Sequence, residues 1–189
     1  YAGVSTDVDR ASEYRPPNDR DLQNTLVVAV TYSGESERTL SAVRRANRSE
    51  ARTLAITAVV GSTITRRVDD IVYTREGPAL DSSNVKSFPA QVVTLTLVAI
   101  HIGRTRGVLP LEKAWELIDR LQRLPTAVQH VLSAASPVRK IAGELSSVGA
   151  YYLIARDIGY PVAAEGAATL REVAGHHAEA VYAGDLTTD

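Results

Sequence analysis

Apolar and polar positions alternate along the chain in blocks whose periods differ, and the periods assign the elements. Residues 24–32, "NTLVVAVTY", are a continuous valine-rich run, the pattern of a strand buried on both faces of a parallel sheet. Residues 36–49, "SERTLSAVRRANRS", follow with Leu40 and Val43 at helical spacing, which predicts an amphipathic helix. "RTLAITAV" (52–59) reads as a second buried strand, "STITRRVD" (62–69) as a short helix and "DIVYTR" (70–75) as a third strand. Strands alternating with helices across short loops predict a doubly wound α/β fold with a parallel sheet and right-handed crossovers.

The pattern then turns helical. Residues 85–107 predict a long, largely buried helix with Pro89 in its first turn. Two further helices are expected over 111–124 and 137–148. After Gly149, "AYYLIARDIG" restarts the strand pattern, and 162–175 predict another helix. We therefore expect a first domain over 1–148 and the truncated start of a second over 149–189. One strand and one helix cannot make a parallel sheet. Residues 1–21, interrupted by Pro16 and Pro17, read as connecting structure with at most one short strand.

Composition narrows the function classes. A net charge of −1 points away from nucleic-acid and membrane-surface binding, and no apolar run reaches the ~18 residues a membrane span needs. No signal peptide is evident, so a cytoplasmic protein is expected. There is no cysteine, which excludes disulfides, thiolate metal sites and cysteine nucleophiles within this stretch. Methionine is absent even at residue 1, so residue 1 is not expected to be the natural N-terminus. Arg outnumbers Lys 18 to 3, an excess too general to assign a function.

Chemistry concentrates after the first strand, in "TYSGES" (31–36). Ligands of open α/β sheets bind beyond the carboxyl ends of strands, and a helix N-terminus there offers unpaired amides to an anion. Thr31, Ser33 and Ser36 add hydroxyl donors, and Gly34 would let backbone approach a ligand. No lysine or arginine lies in the loop, so it is not a nucleotide P-loop. A small terminal phosphate fits this chemistry; so does a plain helix cap by Ser33 or Ser36, with Glu35 and Glu37 favouring the dipole.

The "SGES" loop behind a valine-rich strand resembles the Ser-Gly-Glu-Thr loop of the sugar isomerase (SIS) family of phosphosugar-binding domains. In particular it is similar to the isomerase half of the glucosamine-6-phosphate synthase family. "ASEYR" (11–15), "LAITAVVGSTITRRVDDIVYTREGP" (54–78), "VKSFPAQ" (85–91) and "YPVAAEGAATLREVAGHHAEAVYAGDL" (160–186) continue the resemblance in the same order. It implies a flavodoxin-like SIS fold whose first domain, over 1–148, is expected to lack its opening strand and helix, and the start of a second SIS unit. It also implies a phosphorylated hexose or amino sugar as ligand, no cofactor, and at least a homodimer. Carried over by position, the phosphate falls to Thr31, Tyr32, Ser33 and Ser36, with Tyr32 where a glutamine is usual. The sugar chain falls to Ser82 and Ser83.

Glu165 and Glu172 are two helical turns apart and share a face. From spacing alone they could equally be solvated helix-face acids. The resemblance makes Glu172 the carboxylate that shuttles a proton between neighbouring sugar carbons, a role that a pKa raised by partial burial would suit, and Glu165 a positioning group for the hydroxyls. It also exposes two departures: Thr169 where the synthases carry a lysine, and Thr188 where they carry a histidine that assists ring opening. The implied activity is isomerisation of fructose 6-phosphate with amination or deamination to or from glucosamine 6-phosphate. The alternatives are a non-catalytic phosphosugar-sensing module and a sugar-phosphate isomerase without nitrogen chemistry. His176, His177 and Glu179 sit close in sequence, but adjacent histidines on a helix diverge by about 100°, and no metal site is expected from them. The resemblance makes His177 and Glu179 structural supports. His101 reads as a core or edge residue, and His130 has no context.

Overall fold

The computed structural model describes residues 1–16, 22–78 and 85–186. Ser82, Ser83 and Thr188, singled out above, lie outside the described residues. The chain packs as two compact units, Tyr1–Leu80 with Lys86–Asp119, and Asp81–Val85 with Arg120–Asp189.

The first unit is built on three parallel strands, β1 (Leu26–Val30), β2 (Arg52–Thr57) and β3 (Asp70–Tyr73), in the order β1-β2-β3. Val28 pairs with Leu54, and Ile56 with Val72. Helix α1 (Glu37–Arg48) packs on β1 and β2, burying Leu40, Val43 and Ala46, the stripe its spacing predicts. Ala29, Leu40, Val43, Ala55 and Ile64 form one core cluster. A 3-10 turn, Thr63–Arg66, links β2 to β3.

Burial separates the strands more sharply than their composition does. In β2 every residue from Thr53 to Thr57 is buried, as a central strand should be. In β1 only Ala29 is, with Leu26 42% and Val30 38% exposed. The expectation that β1 is buried on both faces fails because, among the described strands, it is an edge. Helix α2 (Ser87–Thr105) forms where its pattern places it, with Pro89 in the first turn, but only Ser87, Thr94, Ile100 and Gly103 are buried. It is not the largely buried helix expected. Gly103 is fixed by close approach: a Cβ there would stand 2.3 Å from the Tyr1 carbonyl oxygen.

Helix α3 (Leu111–Ser133) runs past the expected end at 124 and through Pro125. Pro125 leaves the Leu121 carbonyl without a helical N–H; Leu121 is half-buried and residues 122–133 beyond it are exposed, so water can reach that carbonyl. Helix α4 (Ser136–Leu145) has no buried residue.

The second unit carries β4 (Ala150–Ala155), α5 (Gly159–Ala174) and β5 (His177–Tyr182). Strand β5 was not expected, and it corrects the reading of this region as one strand and one helix. It pairs in parallel with β4, Tyr152 opposite Glu179 and Ile154 opposite Val181. "HAEAVY" reads helical because alanine and glutamate are poor strand formers, yet tertiary pairing overrides propensity. Gly175, at φ +67°, ends α5 in a left-handed cap, His176 N–H donates to the Leu170 carbonyl, and the chain turns back into the sheet. His177 and Glu179 are therefore two apart on a strand, sharing one face, and not on a helix.

Candidate functional site

The loop 31–36 leaves the carboxyl end of β1 and enters α1, beside the loop leaving β2. Backbone bonds pin its first half: Thr31 N–H donates to the Ile56 carbonyl, and the Tyr32 carbonyl accepts from Ala58 N–H and the Thr57 hydroxyl (2.9 Å). The Thr31 hydroxyl oxygen accepts the Gly34 N–H (3.3 Å), and that of Ser33 accepts the Glu35 N–H (3.2 Å). An oxygen that accepts a backbone N–H still carries its own O–H to donate. Ser36 is the N-cap residue of α1 in extended conformation, and among the described residues no side chain caps the helix. The plain-cap reading of this loop is thus not what the hydroxyls do. Partially positive amides and three hydroxyls gather at one end of the sheet.

Gly34 has a different reason from the one its sequence suggests. It is buried at φ +69°, and a Cβ there would lie 2.3 Å from the Ser62 hydroxyl and 2.8 Å from Ile64 Cγ2. The glycine admits the neighbouring loop. Ile64 N–H donates to the Gly34 carbonyl (3.0 Å), joining the two loops.

Glu35 completes the joint. Its carboxylate accepts the Thr63 backbone N–H (2.7 Å) and the Thr63 hydroxyl (2.6 Å). Those two bonds, the hydroxyl's first, hold the carboxyl below the usual carboxylate range. Glu37 pairs with Arg44 one helical turn further than its own first turn reaches. Sequence reasoning assigned Glu35 to the dipole and missed Thr63. The available signal was "GSTIT" (61–65), a second hydroxyl cluster with one glycine after the neighbouring parallel strand.

In the second unit, Glu165, Thr169 and Glu172 lie on one face of α5. Glu165 and Thr169 are half-buried, whereas Glu172 is exposed. The partial burial expected for the shuttling carboxylate is met at Glu165 and not at Glu172. Glu172 falls in the last turn of α5, the end nearest the start of β5. Arg171 beside it donates to the Ala178 carbonyl, and Gly166 lets α5 close on Leu153. Nearby in the chain, His176 meets the Tyr151 ring edge-on at 5.3 Å. His101 and His130 are exposed. Among the described residues no cluster of His, Asp or Glu could hold a metal ion, and no helix is long and apolar enough to cross a membrane.

The chain is 41% identical over 186 residues to a glutamine–fructose-6-phosphate aminotransferase (isomerizing) of Halobacterium salinarum, covering 98% of this chain and 31% of that protein. It is 38% identical to the protein of the same name from Methanosarcina mazei, covering 98% and 30%. It thus spans about a third of the length of these relatives. Among solved structures it superposes on the C-terminal domain of glucosamine-fructose-6-phosphate aminotransferase from Francisella tularensis with a TM-score of 0.92 and 28% identity, covering 98% of this chain and 53% of that one. The SIS domain family matches residues 2–101. With the parallel sheet and the hydroxyl loop at its carboxyl edge, that match assigns the chain: it belongs to the SIS domain family.

Proposed function

We propose that this chain binds a phosphorylated hexose and belongs to an enzyme that isomerises fructose 6-phosphate and aminates it, or deaminates glucosamine 6-phosphate. The single observation that carries the reading is the N-terminus of α1, free of a side-chain cap and ringed by the hydroxyls of Thr31, Ser33 and Ser36. A terminal phosphate is the ligand group that such amides and hydroxyls suit. Tyr32 is assigned as a further donor to the phosphate, and Ser82 and Ser83 as sugar-binding residues. The relatives' shared name supports the hexose and the nitrogen chemistry.

Glu172 is the base. It takes the proton from the sugar carbon next to the carbonyl and returns it to the neighbouring carbon, while Glu165 orients the hydroxyls. The 189 residues hold no cysteine, so a thiol that could hydrolyse glutamine is not among them. Residues from 149 on form the start of a second SIS domain, and the working protein is a homodimer or higher oligomer in the cytoplasm.

A second reading is favoured by one observation: Glu172 is exposed, and its neighbour on the helix face is Thr169 rather than a basic residue. Those features suit a module that binds a phosphosugar without turnover. The experiment that separates the readings is NMR of the full-length protein with fructose 6-phosphate in deuterated water, with and without ammonium. Deuterium at C1 or new glucosamine 6-phosphate is the expected result, and Glu172→Gln should slow exchange about 10²–10⁴-fold while ligand shifts persist. Ligand shifts in the native protein without exchange or product would establish the module.

A further inference from the structure

The loop proposed to hold a phosphate dianion carries one carboxylate, Glu35, a second, Glu37, opens the helix behind it, and the loop has no cation of its own. A carboxylate a few ångströms from a phosphate is repelled, and water screens that repulsion only partly near a protein surface. Both carboxylates are, however, tied to partners. Glu37 pairs with Arg44. Glu35 is turned to the neighbouring loop, where the Thr63 N–H and hydroxyl take its two oxygens at 2.7 and 2.6 Å. Arg66, one turn on from Thr63, adds a further favourable charge. The tie also crosses the seam where Gly34 packs on Ser62 and Ile64, so the shape of the loop and the direction of its charge are set by the same bonds.

We propose that Glu35 is a positioning residue of the phosphosugar site: held by Thr63, it braces the 31–36 loop against the loop after β2 and keeps its negative charge away from the incoming phosphate. The inference rests on the phosphosugar reading above and deepens it. A brace alone and a brace that also parks a charge differ in how two substitutions combine. Thr63→Val removes the hydroxyl, keeps the side-chain shape and leaves Glu35 with one bond fewer. Glu35→Gln removes the charge and still accepts the Thr63 N–H. If Glu35 were only a brace, the double variant would bind no better than Thr63→Val. If its charge must be parked, adding Glu35→Gln to Thr63→Val restores binding, because the loosened group no longer repels the ligand.

The test is isothermal titration of the full-length protein with fructose 6-phosphate and, in parallel, with fructose. We expect Thr63→Val to weaken fructose 6-phosphate about 10-fold, on the scale of one charge-assisted hydrogen bond, and fructose hardly at all. Thr63→Ser should bind as the native protein does. The double variant should recover a few-fold, and the Thr63→Val deficit should shrink as salt is raised. A double variant no better than Thr63→Val, or a Thr63→Val protein that binds normally, overturns the inference while leaving the phosphosugar reading intact. A native protein that binds both sugars equally overturns that reading, and this inference with it.

Discussion

The two units share a plan, parallel strands with helices packed on them, but differ in how firmly the plan is held. In the first unit β2 is buried along nearly its whole length, with Ala55, Ile56 and Thr57 at 0% exposure, and the loops at its carboxyl edge are locked to one another. In the second, β4 alternates half-buried and exposed residues, Ile154 is 57% exposed, and among the described residues the only buried apolar ones are Ala167 and Ala178. The loop proposed to recognise a tetrahedral anion sits on the firm unit. The carboxylate proposed to move a proton sits on the loosely buried one. Rigidity thus goes with recognition here, since loop hydroxyls can discriminate only if their spacing is kept.

The contrast predicts unequal costs for the same truncation. Ile56→Ala should destabilise the first unit by about 3 kcal/mol, since it leaves a cavity in a closed core. Ile154→Ala should cost about 1 kcal/mol or less, because over half of that side chain already meets water. Urea unfolding of the two variants measures the difference. Equal losses would break the contrast and mean that the outer face of β4 is covered in the full-length protein.

The same contrast explains what could be read without a structure. The continuous apolar run of β2 and the Leu40–Val43 stripe of α1 are consequences of burial, and they identify their elements directly. The run in β1 looks the same but cannot report that β1 lies at the edge of the described sheet, so the pattern alone overstates its burial. Strand β5 escaped because Ala178, Glu179 and Ala180 carry no strand signal; the pairing with β4 decides. The hydroxyl loop was legible because it follows a strand and precedes a helix. Glu172 was not legible in that way, since it falls in the last turn of α5, away from the edge where strand-to-helix loops mark ligand sites. Only the resemblance pointed to it. The Glu35–Thr63 tie was hidden for a third reason: sequence displays both hydroxyl clusters but not which group of one faces which group of the other.

A smaller effect sharpens the claim that the firm unit fixes its loop. Gly34→Ala forces a Cβ at φ +69° into the Ser62 hydroxyl. The left-handed conformation alone costs about 1–2 kcal/mol, and the clash must be relieved by moving one loop. We expect a lowered urea midpoint together with weaker fructose 6-phosphate binding. Adding Ser62→Gly removes the two nearest Ser62 atoms and should recover part of both losses, with Ile64 Cγ2 retaining the rest. Recovery of stability without recovery of binding would mean that the loop's shape and the site are separate matters.

The smallest effect concerns the far end of the same sheet. Before β3 begins, the Asp69 carboxylate accepts the Thr53 backbone N–H and the Thr53 hydroxyl, both at 2.7 Å, and Thr53 is 1% exposed. These bonds, the hydroxyl's foremost, lower the Asp69 pKa below its ordinary value, as Thr63 does for Glu35. A carboxyl whose folded pKa is depressed contributes stability that is fully present above its unfolded pKa, about 3.9 for aspartate, and is lost as pH falls through the folded value. The first unit should therefore loosen in acid through ties of this kind. Asp69→Asn, which keeps an acceptor but no charge, should unfold at lower urea than the native protein at pH 7, and the two midpoints should converge as the pH falls below about 4. A gap that stays constant with pH would mean that Asp69 contributes through shape and neutral hydrogen bonding alone, and that acid acts on the firm unit elsewhere.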